Sequence, residues 1–274
     1  MCTLIAIKDR RRRLPLVVAA NRDEVYSRPT GGPRVLFSPP PAVGGVDLER
    51  GGTWMGVTGD GLFVGLTNQR PRDRSDPAEK PRSRGRVVLD ALAAGTPAGI
   101  DALLRASDPA ETNGYNLMYG DAETLKVAYS RPDEPEVVIE PLDDGLWVLA
   151  NDRIGSPDFP KADRARALAA PLAERDLPWA ELAAGLRAIL ADRHRPDWAV
   201  IEAIAEGLPF APAVLRELQA LCIRLPFYGT RSATLVALEP GGVAHYLFAD
   251  GPPDQTPFED FTGLLRRPDD GSAG

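Results

Sequence analysis

The sequence predicts a single α+β domain in which the first and last strands share one sheet. Strand patterns lie near both ends of the 274-residue chain, and helical patterns occupy much of the middle. Hairpin signals support this arrangement, because Asp60-Gly61 separates two apolar runs and Gly241-Gly242 separates two more near the C-terminus. With no internal repeat and no linker pattern, we expect one domain over residues 1–267 and a disordered tail over 268–274.

The first part of the chain, residues 2–69, predicts two β-hairpins. In the first strand the odd and even positions are both apolar, with Cys2, Leu4 and Ala6 on one face and Thr3, Ile5 and Ile7 on the other. The predicted strands are Cys2–Lys8, Leu16–Ala20, Thr53–Thr58 and Leu62–Asn68, with a turn over Asp9–Arg13. Residues 70–84 are rich in Arg, Pro, Asp and Ser, which predicts a mobile loop.

The middle of the chain alternates between helical and strand patterns. Thr96 followed by Pro97 is a typical helix start, and Ile100, Leu103 and Leu104 form its apolar stripe. Further strands are predicted at Asn116–Tyr119, Leu125–Tyr129, Val137–Ile139, Leu146–Ala150, Thr230–Leu238 and Val243–Phe248. Further helices are predicted at Lys161–Ala170, Trp179–Ala191 and Pro212–Ile223, the last of which places Cys222 on its core face.

Composition excludes several classes of function. The net charge of −7 argues against a nucleic-acid binder, since a basic excess is needed to neutralise phosphates. Two cysteines and two histidines are too few for a disulfide framework or a metal site, and no cofactor is expected. No run approaches the roughly 20 apolar residues that span a bilayer, and no signal peptide is present. A reducing, cytoplasmic location is therefore expected.

The first predicted hairpin brings Cys2 close to a polar cluster. If the turn centres on residues 11 and 12, Cys2 lies opposite Arg22 or Asp23, within the segment Asn21-Arg22-Asp23-Glu24. Cross-strand neighbours are about 4.5–5.5 Å apart at Cβ, so the thiol would lie beside ionisable groups. Such a cluster at a strand end is typical of the rim of a site.

Position 2 also has a chemical consequence. Initiator methionine is generally removed before a small second residue, which would leave a thiol and a free α-amino group on Cys2. A free α-amino group has an ordinary pKa of about 7.7–8.0 and can serve as a general base near neutral pH. The alternative interpretation is that Cys2 is a small hydrophobic residue at the start of a strand.

Several short motifs then point to a known family. They are Met1-Cys2-Thr3, Ala19-Ala20-Asn21-Arg22-Asp23-Glu24, Gly51-Gly52-Thr53-Trp54, Gly65-Leu66-Thr67-Asn68, Asn113-Gly114-Tyr115-Asn116-Leu117 and Tyr228-Gly229-Thr230-Arg231-Ser232. In this order they resemble the NRDE family, also called the transport and Golgi organisation protein 2 family. That family in turn resembles N-terminal-nucleophile hydrolases of the cysteine type, such as choloylglycine hydrolase and penicillin V acylase.

The resemblance implies a fold and a set of site residues. The implied fold is a four-layer αββα sandwich. The implied catalytic residues are Cys2 as nucleophile, Asp23 as the carboxylate that holds the α-amino group, Asn68 and Asn151 as the oxyanion site, and Arg231 close to the nucleophile. The motifs also imply substrate-binding roles for Asn21, Arg22, Trp54 and Asn116.

One position departs from the acylase pattern. Those hydrolases have an Arg three residues before the Asp, where this chain has Ala20. Arg22 is offset by two, so on a regular strand it faces the side opposite to Asp23. Two functions follow as hypotheses. The first is hydrolysis of a small acyl amide or related acyl bond through a Cys2 acyl-enzyme, and the alternative is a non-catalytic carrier for an apolar ligand such as haem or an acyl lipid.

Overall fold

Two antiparallel sheets face each other in the computed structural model of the chain, and helices pack on both outer faces. The structure describes residues 2–9, 11–69, 80 and 82–266. The resulting four-layer αββα sandwich confirms the predicted fold class. Most of the segment predicted as a mobile loop, residues 70–79 and 81, lies outside the described residues, as does the predicted tail at 268–274.

The first sheet contains both ends of the domain, as predicted. Its six strands lie in the order β10-β1-β2-β11-β12-β13. Their bounds are β1 Cys2–Lys8, β2 Leu16–Val25, β10 Gly145–Leu149, β11 Tyr228–Glu239, β12 Gly242–Ala249 and β13 Glu259–Asp260. All neighbours in this sheet are antiparallel.

The second sheet is a continuous meander of seven strands in sequence order, β3 to β9. Their bounds are β3 Thr30–Phe37, β4 Ala42–Asp47, β5 Met55–Thr58, β6 Phe63–Asn68, β7 Tyr115–Gly120, β8 Leu125–Ser130 and β9 Val138–Pro141. The prediction of two hairpins over residues 2–69 was therefore incomplete. It missed β3 and β4, whose Gly- and Pro-containing sequences lack a clear apolar alternation.

Alternation along each strand explains the layers. Leu4 and Ala6 of β1 pack between the two sheets, whereas Ile5 and Ile7 pack against the helices on the outer face of the first sheet. Both faces of this sheet are buried, which accounts for the nearly continuous apolar character of β1.

Six α-helices are found in the described part of the chain. Their bounds are α1 Arg84–Ala93, α2 Pro97–Arg105, α3 Pro160–Ala173, α4 Trp179–Leu190, α5 Trp198–Ala205 and α6 Pro212–Leu218. The first pair covers the second sheet, and α3 and α4 cover the first sheet. Thr96 caps α2 by accepting a hydrogen bond from the Gly99 N–H at 3.0 Å, as predicted.

The predicted set of helices needs three corrections. Helices α1 and α5 were not predicted, and α6 ends at Leu218 rather than continuing to Ile223. After α6 the chain turns, so that the Cys222 N–H donates to the Asp192 carbonyl and the Ile223 N–H donates to the Thr230 hydroxyl. None of the described helices has the length and apolar character required to cross a membrane.

Candidate active site at the start of the first strand

Cys2 begins β1 and lies at one end of the gap between the sheets. Its direct cross-strand partner is Arg22, one of the two partners that the hairpin geometry predicted. Directly opposed residues project their side chains to the same face, so the thiol and the guanidinium share the side that faces the second sheet. The thiol is half-buried and borders an open cleft of about 380 Å³ rather than packed hydrocarbon.

The cleft has a strongly charged lining. Residues from β2, the segment around Asp47 to Trp54, the end of β6 and the start of α1 contribute to it. The ionisable groups among them are Cys2, Arg22, Asp23, Glu24, Arg28, Asp47, Glu49, Arg50, Lys80, Arg82 and Arg84. The cationic side chains outnumber the carboxylates, although the whole chain is acidic.

Arg22 is held firmly beside the thiol. Its guanidinium carbon lies 4.2 Å from the centre of the Trp54 ring, in a cation–π contact, and its Nη1 donates to the Thr30 hydroxyl at 3.0 Å. Glu24 lies 3.5 Å from the other end of the group. Burial lowers the pKa of Arg22, while Glu24 and Cys2 act in the opposite direction. A guanidinium nevertheless stays protonated, so a permanent positive charge faces Cys2.

A second cation, Arg84, reaches the cleft from the first turn of α1. Gly52 allows this, because a Cβ at that position would lie 2.6 Å from the Gly85 carbonyl carbon. The Thr53 N–H also donates to the Gly85 carbonyl, which fixes the start of α1 against the segment Gly51-Gly52-Thr53-Trp54. Burial lowers the pKa of Arg84, and Cys2 raises it. Among the described residues, Arg84 forms no ion pair with a carboxylate.

Asn151 joins Cys2 to the second sheet. Its Oδ1 accepts the Cys2 N–H at 3.2 Å, and its Nδ2 donates to the Asn68 carbonyl at 2.7 Å. These two bonds fix the orientation of the amide, since the oxygen faces a donor and the nitrogen faces an acceptor. One N–H of Asn151 remains to act on a ligand. The Asn68 side chain borders the cleft at the end of β6, so both predicted oxyanion residues lie close to Cys2.

Asn116 supports the position of Asn151 and does not line the cleft. It is fully buried on β7, and its Nδ2 donates to the Thr67 hydroxyl at 3.0 Å and to the Asp152 carbonyl at 3.2 Å. The Thr67 hydroxyl in turn donates to the Ala150 carbonyl at 2.6 Å. These bonds hold the backbone on both sides of Asn151. The substrate contact predicted for Asn116 does not fit this placement.

Asp23 lies on the helix-facing side of β2, opposite to the side that the Cys2 thiol faces. Its carboxylate accepts a hydrogen bond from the Thr230 hydroxyl at 2.7 Å and pairs with the Lys161 ammonium at 3.4 Å. The Tyr228 hydroxyl donates to the Asp23 carbonyl at 3.0 Å. Burial raises the pKa of Tyr228 well above its usual range, and the charge of Asp23 adds to this. Arg22 and Asp23 therefore face opposite sides of the strand, as predicted.

Two predicted site residues lie away from the cleft. Asn21 is buried and donates to the carbonyls of Leu190 and Leu221, each at 2.9 Å, so it ties β2 to the helical layer. Its predicted substrate contact does not fit this position. Arg231 lies at a bulge of β11 and pairs with Asp250 at 2.9 Å. It is not among the described residues that line the cleft, whereas Arg22 and Arg84 are.

The second cysteine is in a different environment. Cys222 is fully buried, as predicted, and its thiol hydrogen-bonds to Asp254 at 3.2 Å. Burial and this hydrogen bond raise the pKa of Cys222 to about 12. His245 stacks on Trp179, and no cluster of metal ligands occurs among the described residues.

Three residues of the site were not identified from the sequence. Lys161 lies 138 positions after its partner Asp23, and no local pattern connects them. Arg84 was assigned to a loop, although the Ser83 side chain that caps α1 was a usable signal. Thr67 was noted within a motif, but its role as a backbone anchor depends on a segment far along the chain.

Comparison with solved structures defines the class of fold. The chain is similar to a mutant of the conjugated bile acid hydrolase from Clostridium perfringens, with a TM-score of 0.50 and 12% identity over 97% of this chain and 95% of that one. It is also similar to the N-acylethanolamine-hydrolyzing acid amidase orthologue of Caenorhabditis elegans, with a TM-score of 0.52 and 13% identity over 88% and 93%. The fold is that of the N-terminal-nucleophile hydrolases.

The family follows from sequence. The family model described as Transport and Golgi organisation 2 matches residues 1–247. The Transport and Golgi organization protein 2 homologs of Bos taurus and Homo sapiens are each 30% identical to this chain, over 86% of it and 85% of their own length. The chain therefore belongs to the Transport and Golgi organisation 2 family, which confirms the predicted resemblance.

Proposed function

We propose that the chain is a cysteine N-terminal-nucleophile hydrolase that cleaves a small acyl amide or a related acyl bond. The observation that carries this proposal is the position of Cys2. Its half-buried thiol begins β1, borders an open cleft and faces two guanidinium groups, while its main-chain nitrogen contacts Asn151. The names hydrolase and amidase of the two structurally similar proteins support the same chemistry.

The reaction would begin after removal of Met1. The free α-amino group of Cys2 accepts the thiol proton, and the sulfur forms a bond to the substrate carbonyl carbon. The carbonyl electron pair moves to oxygen, where Asn68 and the unused N–H of Asn151 stabilise the charge. When the carbonyl re-forms, the C–N bond breaks and the leaving nitrogen takes the proton. Water then attacks the thioester, releases the acid and restores the thiol.

Asp23 would act on the amine rather than on the sulfur. Its carboxylate lies on the helix-facing side of β2, whereas the thiol shares the opposite side with Arg22. A main-chain nitrogen at the first position of a strand can be reached from either side. The amine is thus the group that both Asp23 and the thiol can approach. Asp23 therefore holds the amine, and the thiol attacks the substrate from the other side of the strand.

The charged lining bears on the choice of substrate. A wholly apolar ligand would remove Arg22, Arg84 and the neighbouring carboxylates from water, which is costly for charged groups even where they are paired. A substrate with a polar or anionic end would instead satisfy them. The charged lining therefore favours the hydrolase over a carrier of an acyl lipid or haem, although the names of the related proteins refer to transport.

Three measurements on the parent protein and its variants test the proposal. Mass spectrometry of the purified chain should show loss of Met1. A panel of acyl p-nitroanilides with neutral and carboxylate-bearing acyl groups should give turnover that Cys2→Ala abolishes and the matched control Cys222→Ser retains. Asn68→Ala should reduce kcat by about 10²–10³-fold. Retained Met1, or equal turnover by Cys2→Ala and its parent, would exclude the mechanism. Unchanged binding of haem or acyl lipid by an inactive parent and Cys2→Ala would support the carrier.

A further inference from the structure

Lys161 forms a buried ion pair with Asp23 and has no role in the mechanism described above. Lys161 is the second residue of α3, and its Nζ lies 3.4 Å from the Asp23 carboxylate. Both side chains have 0% exposure. Lysine and aspartate are rarely buried to this extent unless they are paired, because removal of each charge from water is costly.

The surroundings of Lys161 provide few other partners. An ammonium group has three donors, and Asp23 is the one acceptor that the described residues offer it. Asp23, in contrast, also accepts from the Thr230 hydroxyl. Replacement of such a pair by apolar residues is often neutral or stabilising, so fold stability alone does not explain why a lysine is placed here.

The ion pair lies on the strand that neighbours Cys2. Asp23 follows Arg22, the direct cross-strand partner of Cys2, and both Asp23 and Cys2 border the same cleft. Other ionisable groups also lie around Cys2 and Asp23. They are Arg22 and Glu24 from β2, Arg84 from α1 and Tyr228 from β11. Lys161, from α3, pairs with the Asp23 carboxylate.

We propose that Lys161 is a positioning residue that neutralises Asp23, so that the carboxylate can hold the α-amino group of Cys2 without locking it in its protonated form. This inference rests on the proposed function. As a general rule, a carboxylate within about 4–6 Å of an amine favours its charged form by about 1–3 pKa units. An amine kept charged cannot accept the thiol proton. Pairing with Lys161 cancels most of the carboxylate field and leaves the amine available as a base.

Titration of the amine itself tests the inference without turnover. Protein whose Met1 is absent, after treatment with methionine aminopeptidase where needed, is labelled with limiting acetic anhydride over a range of pH. Mass spectrometry of the N-terminal peptide then gives the fraction of reactive amine. In Lys161→Met the midpoint should move up by about 1–3 pH units relative to the parent, and the acid limb of turnover should move with it. Lys161→Arg should restore the parental midpoint.

A matched control separates this effect from general loss of an ion pair. Lys126→Met removes a lysine that pairs with Asp101 at 2.7 Å on the second sheet, and it should leave the midpoint unchanged. Should Lys161→Met fail to fold, Lys161→Gln keeps a donor to Asp23 without the charge and is measured in the same way. An unchanged midpoint in a folded, uncharged variant would overturn the role of Lys161. Absence of turnover with a shifted midpoint would overturn the hydrolase proposal alone.

Discussion

The Asp23–Lys161 pair makes a quantitative prediction about stability. Lys161→Met removes the lysine charge beside the buried Asp23 carboxylate, and Asp23→Asn removes the carboxylate charge beside the buried Lys161 ammonium. Loss of one partner of a buried pair typically costs 3–5 kcal/mol, so we expect each single variant to lose about 3–5 kcal/mol of unfolding free energy. The double variant removes both charges, and Asn retains an acceptor for the Thr230 hydroxyl. It should therefore be more stable than either single variant, by roughly 2–3 kcal/mol.

Urea unfolding of the four proteins measures this coupling energy. The pair of Lys126 and Asp101 is a suitable control, because its atoms are closer, at 2.7 Å, but its side chains are 23% and 13% exposed. Solvent screening should limit its coupling to about 1 kcal/mol or less. If burial determines the coupling energy, the Asp23–Lys161 pair has the larger coupling energy although its atoms are farther apart. Additive single variants at Asp23 and Lys161, or a larger coupling for the control pair, would refute this reasoning.

Three further predictions concern the surroundings of the site. Iodoacetamide at pH 8 should label Cys2 long before Cys222, whose pKa of about 12 leaves about one molecule in 10⁴ as thiolate; comparable labelling of both would contradict the structure. Gly52→Ala should lower the unfolding free energy by about 1–3 kcal/mol because its Cβ meets backbone at 2.6 Å, whereas Gly263→Ala, with open space around it, should have little effect in the same urea assay. Asn116→Ala should cost about 1–3 kcal/mol and slow the labelling of Cys2, since it frees the backbone beside Asn151; an unchanged labelling rate would show that Asn116 does not support the site.

The part of the site that depends on one hairpin could be predicted from the sequence. Alternation over Cys2–Lys8 predicted the face of each side chain, and the length of the turn placed Cys2 opposite Arg22 or Asp23, of which the structure shows Arg22. The opposite orientations of Arg22 and Asp23 follow from the same period of two. Local geometry was sufficient in this case because all the residues concerned lie within about two dozen positions of one another.

Contacts between distant segments could not be obtained in this way. Asn21 is polar and adjacent to site residues, which favoured a role in the cleft, yet its amide donates to the Leu190 carbonyl at the end of α4 and to the Leu221 carbonyl in the segment after α6. Lys161 was seen only as part of a helix, because its burial depends on packing of α3 against the first sheet. Strands β3 and β4 were missed for a related reason, since pairing with neighbouring strands stabilises sequences with little β-pattern of their own.

The central claim is that Cys2, freed of Met1, forms the acyl-enzyme. A direct measurement is peptide mapping of the chain after brief acid quenching during turnover of an acyl p-nitroanilide, with Cys222→Ser as the control background. We expect an N-terminal peptide that begins at Cys2 and carries the mass of the acyl group on its sulfur. An N-terminal peptide that still begins at Met1, or an acyl group found only on another residue, would contradict it.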